Sequence, residues 1–455
     1  MQRSIALAFL CTSFYACAAG PFDLVREAAG STSQTLCSGA FVSGLDPDTV
    51  FREQLRPEPG MALVDWALKY EVDRDRREVR TRIAGSFERR SVYRAGRGCT
   101  LVYEGYETPR ALSVPAHAPE TAAVSGEPAL TRALDAAFAE PPEGDPRNTK
   151  AVVVMRGGRV IAERYAPGYD VNTPVNGHSL AKSLVNALVG VLVRQGKLSV
   201  TQPAPVAAWG RDVSRAPITI DQLLRMSAGF GFDEGAGASS STHIWFNEPD
   251  TASASAQAKP VSSGWGYSSR SYALLSRIVA DAVGGGPQAL RDFAERELFT
   301  PLGMHKVTLE LDQSDNLMGA HAIFATPRDW ARLGQLYLQD GRVGETRILP
   351  QGWVKYSTTP TLDTGYGAGF WLNNTHTEMP EWGQPWGLPD APADAFMARG
   401  YLGQYIVVVP SGDLVIMRAG ASNARNSDVK GVGRLVRDVL SAVSAVPAHA
   451  AVRCE

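Results

Sequence analysis

Apolar and polar positions alternate along this chain in two distinct rhythms. From Ser179 to about Gln195 nearly every position after Lys182 is apolar or small until Arg194, so the segment predicts a helix buried on most faces and stopped at Gly196. Strand-like runs lie on either side. Ala151–Met155 and Arg159–Tyr165 flank Gly157-Gly158 and predict a hairpin, and Gln404–Val409 and Leu414–Arg418 flank a Pro-Ser-Gly-Asp turn. Further helices are predicted to start at Thr219 (with Gln222 as a capping box), at Ser271, at Pro287 and at Pro327 behind Thr326. A last amphipathic helix covers about Ser427 to Val443. Strand pairs at both ends with helices between them predict an antiparallel sheet packed on helices, an α+β class.

Residues before 110 have another texture. Glu78–Ile83, Ser91–Arg94 and Cys99–Tyr103 alternate arginine with β-branched residues, as half-buried strands with one wet face do. Asp73, Asp75, Glu78 and Glu88 offset much of that basic charge, which disfavours a polyanion-binding patch. Pro109–Pro128 is rich in alanine and proline without periodicity and reads as a linker. The expected organisation is a leader at 1–19, a small strand-rich extension at 20–110, a linker at 111–128, a main domain at 129–445 and a tail at 446–455.

The leader has Arg3, an apolar run from Ile5 to about Phe14, and Ala16-Cys17-Ala18-Ala19. That is the form of a cleaved secretory signal, which implies a periplasmic or secreted protein. The run is shorter than the ~20 residues of a membrane span. Phe14-Tyr15-Ala16 is a poor lipobox before Cys17, so a lipid anchor is disfavoured. Cleavage leaves Cys37, Cys99 and Cys454; in an oxidising compartment a Cys37–Cys99 bridge is expected, with the state of Cys454 open.

Composition narrows the partners. The 455 residues carry 45 Lys+Arg against 47 Asp+Glu, a net charge of −2, which argues against nucleic acid or an anionic membrane as the main partner. There is no CxxC, and the seven histidines contain no HExxH, so neither a metal centre nor a cofactor is expected.

The candidate chemistry begins at the buried helix. Ser179 and Lys182 are three residues apart and share a face at its start. Burial favours the neutral amine of such a lysine, and free N–H groups in the first helical turn favour negative charge on the serine. A hydroxyl beside a lysine of lowered pKa is the Ser-Lys form of nucleophilic catalysis. The spacing alone is weak, because Ser427 and Lys430 repeat it on a polar helix face. Tyr267 and Ser269 follow glycines on a loop before a helix, and Tyr401-Leu402-Gly403-Gln404 opens a strand.

In order and spacing these segments resemble the serine β-lactamases and penicillin-recognising hydrolases, in particular the class C-like branch that includes esterases and 6-aminohexanoate-dimer hydrolases. The three motifs correspond to Ser179-Leu180-Ala181-Lys182, Tyr267-Ser268-Ser269 and Tyr401-Leu402-Gly403, and the resemblance spans roughly residues 125–445. It implies that Ser179 attacks a carbonyl to form an acyl-enzyme, that Lys182 accepts its proton or holds the local hydrogen-bond network, and that Tyr267, supported by Ser269, shuttles a proton to the leaving group and helps activate water for deacylation. It implies an oxyanion hole from the N–H groups of Ser179 and Gln404, and substrate contacts at Tyr401 and Gly403. His178 is expected to be structural. Two departures matter: Ser269 stands where class C β-lactamases have asparagine, and Tyr401 where penicillin-recognising enzymes place a lysine for the substrate carboxylate. A neutral tyrosine supplies no such charge-assisted contact, which favours a small ester, amide or peptide-like substrate over a β-lactam. Trp371, Trp382, Trp386 and Phe396 are candidates for an apolar acyl pocket. The rival readings are a β-lactamase, a D-Ala-D-Ala carboxypeptidase, and a non-catalytic ligand sensor with the same fold.

Overall fold

The structure, a computed structural model, describes residues 21–444 apart from 123–126, 236–239, 262–263, 375–377, 380–382 and 423–427. The leader, the tail with Cys454, Trp382 and Ser427 lie outside the described residues. Two hydrophobic cores of unequal size organise the chain.

The smaller core is built by the extension. Helix α1 (Pro21–Phe41) packs across a four-stranded antiparallel meander, β1 (Leu68–Asp73), β2 (Glu78–Ile83), β3 (Phe87–Arg94) and β4 (Gly98–Val102). Val79, Thr81 and Ile83 of β2 point inward, while Arg80 and Arg90 both pair with Glu78 on the other face. The sequence shows β2, β3 and β4 but neither β1 nor α1. That helix buries Glu27, Thr32, Ser33, Gln34 and Ser38 among Ala29, Leu36, Cys37 and Ala40, so polar residues break up the apolar period of its inner face. A disulfide joins Cys37 of α1 to Cys99 of β4, with Cα atoms 6.0 Å apart.

Residues 103–122 have no regular structure, yet they are strapped down. Ser113 N–H donates to Gln288 Oε1 at 2.8 Å, and the Glu120 carboxylate pairs with Arg328 and Arg332.

The larger core follows. After α2 (Pro128–Phe138), β5 (Thr149–Arg156) and β6 (Arg159–Tyr165) form the first hairpin. Helix α3 (Leu180–Arg194) is buried from Leu180 to Leu192. Thr219 and Gln222 form both halves of a capping box at α4 (Ile220–Leu224). Helices α5 (Ser241–Asn247), α6 (Ser269–Val283) and α7 (Gly286–Ala294) come next, and α8 (Pro327–Leu338) starts behind its N-cap Thr326. The remaining strands are β7 (Trp371–Leu372), β8 (Phe396–Gly400), β9 (Gln404–Val409) and β10 (Leu414–Gly420), before α9 (Val429–Ser444). One antiparallel sheet runs in the order β7-β8-β9-β10-β5-β6. Every residue of β9 is buried, which requires cover on both faces. Helix α8 packs on β5, β9 and β10, and α2 packs on β5, β6 and α9. The result is the expected α+β architecture, with the head of α3 brought to the end of β8.

Candidate active site

The chain makes a sharp turn at the head of α3. His178 has φ +46°, a left-handed conformation uncommon outside glycine, and its N–H donates to Asn176 Oδ1 at 2.9 Å. Ser179 follows at the N-cap position, half-buried, with the positive end of the helix behind it. Gly177 has no room for a side chain, because a Cβ there would lie 2.3 Å from the Trp330 ring.

One helical turn on, Lys182 is 1% exposed. Its Nζ donates to Ser179 Oγ at 2.9 Å and to the Ala320 carbonyl at 2.9 Å, and it stands 4.9 Å from the centre of the Tyr267 ring. The Ser179 hydroxyl acts on the Tyr267 phenol and opposes the rise of its pKa. The structure therefore brings Ser179, Lys182 and Tyr267 into one cluster. Burial lowers the Lys182 pKa, opposed by the charges of Glu234 and Asp233. Burial also pushes the Tyr267 phenol well above its ordinary value.

Glu234 and Asp233 escape the sequence reading. Asp233 accepts from Ser268 Oγ at 2.5 Å, Ser241 Oγ at 2.6 Å and Ser269 N–H at 3.0 Å, which fixes the loop that carries Tyr267. The Ser269 hydroxyl donates to Glu234 Oε1 at 2.5 Å, so Ser269 is turned to this acid. Burial raises the Glu234 pKa, and Lys182 opposes that shift. Adjacent acids following Phe230-Gly231-Phe232 were the available signal, since an acid pair in an apolar stretch needs partners. His178 is pushed down to about 4 by burial and by Lys182, so it is neutral at pH 7; its ring stands edge-on to Tyr401 at 5.8 Å.

The third segment differs in register from the sequence expectation. Strands β8 and β9 are joined by a turn at Tyr401–Gly403, with Leu402 at φ +59° and Gly403 at φ +80°. The glycine that lies against the nucleophile's turn is Gly400, where a Cβ would come within 2.3 Å of the Gly177 carbonyl oxygen. Gly403 is buried, and its carbonyl accepts from Arg418 at 2.6 Å, so it does not face the site as a substrate contact. Gln404 sits opposite Gly400 in the ladder, and its side chain donates to the carbonyls of Tyr401 and Gly420. The residue that follows the close-packed glycine is thus Tyr401, while Gln404 stands opposite that glycine in the ladder.

A cation also stands nearby, which Tyr401 alone concealed. The Arg399 guanidinium lies 5.2 Å over the Trp371 ring, Trp371 stacks on Tyr267 at 5.2 Å, and the Arg399 charge acts on Tyr267. Trp265, Tyr366 and Trp386 extend this aromatic wall, with Trp265 and Trp386 5.0 Å apart. Phe396 instead packs on Phe370 at 5.7 Å in the core.

Comparisons with known proteins agree with this arrangement. The family model described as Beta-lactamase matches residues 134–441. The 6-aminohexanoate-dimer hydrolase of Paenarthrobacter ureafaciens is 27% identical over 257 residues, which cover 49% of this chain and 61% of that relative; the chain thus spans less than two thirds of its length. Among solved structures, a 6-aminohexanoate-dimer hydrolase homologue from Bacillus anthracis aligns at a TM-score of 0.54 with 20% identity, over 66% of this chain and 81% of its own. A class C β-lactamase from Rhodobacter sphaeroides aligns at 0.50 with 17% identity, over 70% and 99%. At these identities the two structures speak for the fold.

Proposed function

The chain belongs to the β-lactamase family, and on that premise we propose that it is an exported serine hydrolase that cleaves an ester or amide through an acyl-Ser179 intermediate. The observation that carries this reading is the 2.9 Å contact between Lys182 Nζ and Ser179 Oγ in a buried setting. A neutral Lys182 takes the Ser179 proton as Oγ attacks the substrate carbonyl. Negative charge then develops on the carbonyl oxygen, and the N–H groups of Ser179 and Tyr401 receive it; Tyr401 takes the place expected for Gln404. Tyr267, whose ring stands 4.9 Å from Lys182 Nζ, passes a proton to the leaving alcohol or amine. Water then attacks the acyl-enzyme, gives its proton back through the same pair, and releases the acid and free Ser179.

Asp233 and Glu234 position the loop of Tyr267 and balance the charge near Lys182. The aromatic wall around Trp371 receives an apolar part of the substrate. Export is supported by the leader pattern and by the Cys37–Cys99 bond, which suits an oxidising compartment. Fluorophosphonate labelling of wild type, but not of Ser179→Ala, is the expected result; a folded wild type that resists labelling overturns the reading and favours a ligand sensor. Arg399 supports a second reading, cleavage of a carboxylate-bearing β-lactam. Turnover of a chromogenic cephalosporin against p-nitrophenyl esters and linear amides ranks the two.

A further inference from the structure

One short helix joins the extension to the acids beside Lys182. Helix α5 (Ser241–Asn247) has seven residues, fewer than the ~12–15 an isolated helix needs in water, so its place is imposed by what packs on it. It packs chiefly on α1 of the extension. Gly30 of α1 lets the two helices close: a Cβ there would stand 3.1 Å from Phe246 Cβ and 3.3 Å from the Phe246 carbonyl oxygen. One turn earlier on α1, the buried Glu27 turns its carboxylate to α5, with His243 Nδ1 and Asn247 Nδ2 at 3.1 and 3.4 Å.

The same helix meets the catalytic cluster at two points. At its start Ser241 donates its N–H to the Asp233 carbonyl at 2.8 Å and its hydroxyl to the Asp233 carboxylate at 2.6 Å. That carboxylate also accepts from Ser268 and Ser269, the two residues after Tyr267. One turn on, Trp245 stacks on His321 with ring centres 3.8 Å apart. His321 follows Ala320, whose carbonyl accepts Lys182 Nζ, and among the described residues nothing bonds to His321 Nδ1. The loop of Tyr267 and the carbonyl that holds Lys182 thus both rest on α5.

Docking alone does not account for the contacts of α1. An apolar residue at position 27 would cover α5 without desolvating a charge. The Glu27 carboxylate instead grips two side chains one turn apart on that helix, which fixes both its rotation and its height.

We propose that Glu27 and Gly30 are positioning residues: through α5 the extension holds Asp233 and the Ala320-His321 segment where Lys182 and Tyr267 need them for acyl transfer. The extension then serves the reaction without touching substrate. The proposal rests on the acyl-serine reading above for its catalytic consequence, and its test separates the two.

The first arm reads the site without turnover. Protein labelled with carbon-13 at lysine Cε gives a Lys182 resonance, identified by its loss in Lys182→Met. At one fixed pH that resonance should be displaced in Glu27→Ala and Gly30→Ala, and should return toward its wild-type position in Glu27→Gln, which keeps an acceptor oxygen. Val79→Ala removes volume from the smaller core, which contains no residue of α5. It should lower the denaturation midpoint and leave the resonance in place. An unmoved resonance in Glu27→Ala, or an equal displacement in Val79→Ala, overturns the proposal.

The second arm measures hydrolysis of p-nitrophenyl acetate. Glu27→Ala and Gly30→Ala should lower kcat by about 10-fold and leave KM within about twofold, as a small misplacement of reacting groups does. In a Ser241→Ala background, where Asp233 is already loosened from α5, Glu27→Ala should cost about threefold or less. Full additivity of the two changes, or an equal loss of kcat in Val79→Ala, overturns the proposal. If wild type hydrolyses no ester and resists fluorophosphonate, the acyl-serine reading falls alone, and the lysine resonance decides whether the extension sets the Lys182 site.

Discussion

The carboxylate of Glu310 accepts the backbone N–H of Cys99 at 2.9 Å, a bond that joins the main body to the extension beside the disulfide. Ser38 Oγ and Gln34 Nε2 donate to the same carboxylate at 2.7 and 3.3 Å, and the acid is fully buried. Among the described residues no cation accompanies these donors, and burial pushes its pKa up to about 7 from an ordinary 4.5. The folded state thus holds a proton on Glu310 that the unfolded chain releases. The resulting stabilisation is complete below pH 4.5 and disappears as pH rises through about 7, a span worth about 3 kcal/mol. Urea denaturation at pH 5 and pH 8 should therefore show a steeper loss of stability in wild type than in Glu310→Gln. Equal slopes would remove Glu310 from the account.

Lys182 and Tyr267 separate by their pH behaviour. Lys182→Met should lower kcat/KM by about 10²- to 10⁴-fold, the usual weight of a positioned general base, and Tyr267→Phe by a similar factor. The Lys182 pKa lies below the ordinary lysine value, so the acid limb of the pH–rate profile marks the loss of its neutral form as pH falls. Glu234 opposes that lowering. Glu234→Gln should then move the acid limb to lower pH, measured as kcat/KM on a neutral ester from pH 4 to 9. An unmoved limb would show that Glu234 acts through the Ser269 hydrogen bond alone.

The parts of this site that share a local pattern were legible in the sequence. Ser179 and Lys182 lie one turn apart on a helix whose burial is written in its own composition, and Thr219 with Gln222 announced a helix start. Glu234 and Glu310 were not legible, because each gains its meaning from a distant residue: Glu234 meets Ser269, and Glu310 meets Cys99. The third segment offers two candidate glycines, three residues apart, for a related reason. Gly400 and Gly403 look alike in sequence, and the approach of the Gly177 carbonyl, which distinguishes them, is a tertiary contact. Helix α1 stayed hidden because glycines serve it as close-packing points, Gly30 against Phe246 and Gly39 against Val50, where helix propensity alone argues against them.

The disulfide should stabilise chiefly the extension. Cys37 and Cys99 close a loop with a sequence separation of 62, and constraint of the unfolded chain by such a loop is worth about 2–4 kcal/mol. Reduction, or the pair Cys37→Ser with Cys99→Ser, should lower the denaturation midpoint by a matching amount.

Gly400 gives the sharpest test of the proposed register. A methyl group there would meet the Gly177 carbonyl oxygen at 2.3 Å, and both partners are backbone, so no side-chain rotation relieves the contact. Gly400→Ala must therefore push β8 away from the head of α3, at about 1–3 kcal/mol in stability as overpacking does elsewhere. The displacement carries the Tyr401 N–H away from Ser179, so kcat should fall by about 10²-fold or more, the weight of one oxyanion-hole donor. Gly403 has φ +80° but its carbonyl is turned to Arg418, behind the strand. Gly403→Ala should then cost stability through its left-handed backbone while leaving kcat of the folded fraction near wild type. Active-site titration with a fluorophosphonate corrects both rates for folded enzyme. The reverse ranking would return the third motif to Gly403 and the oxyanion donor to Gln404.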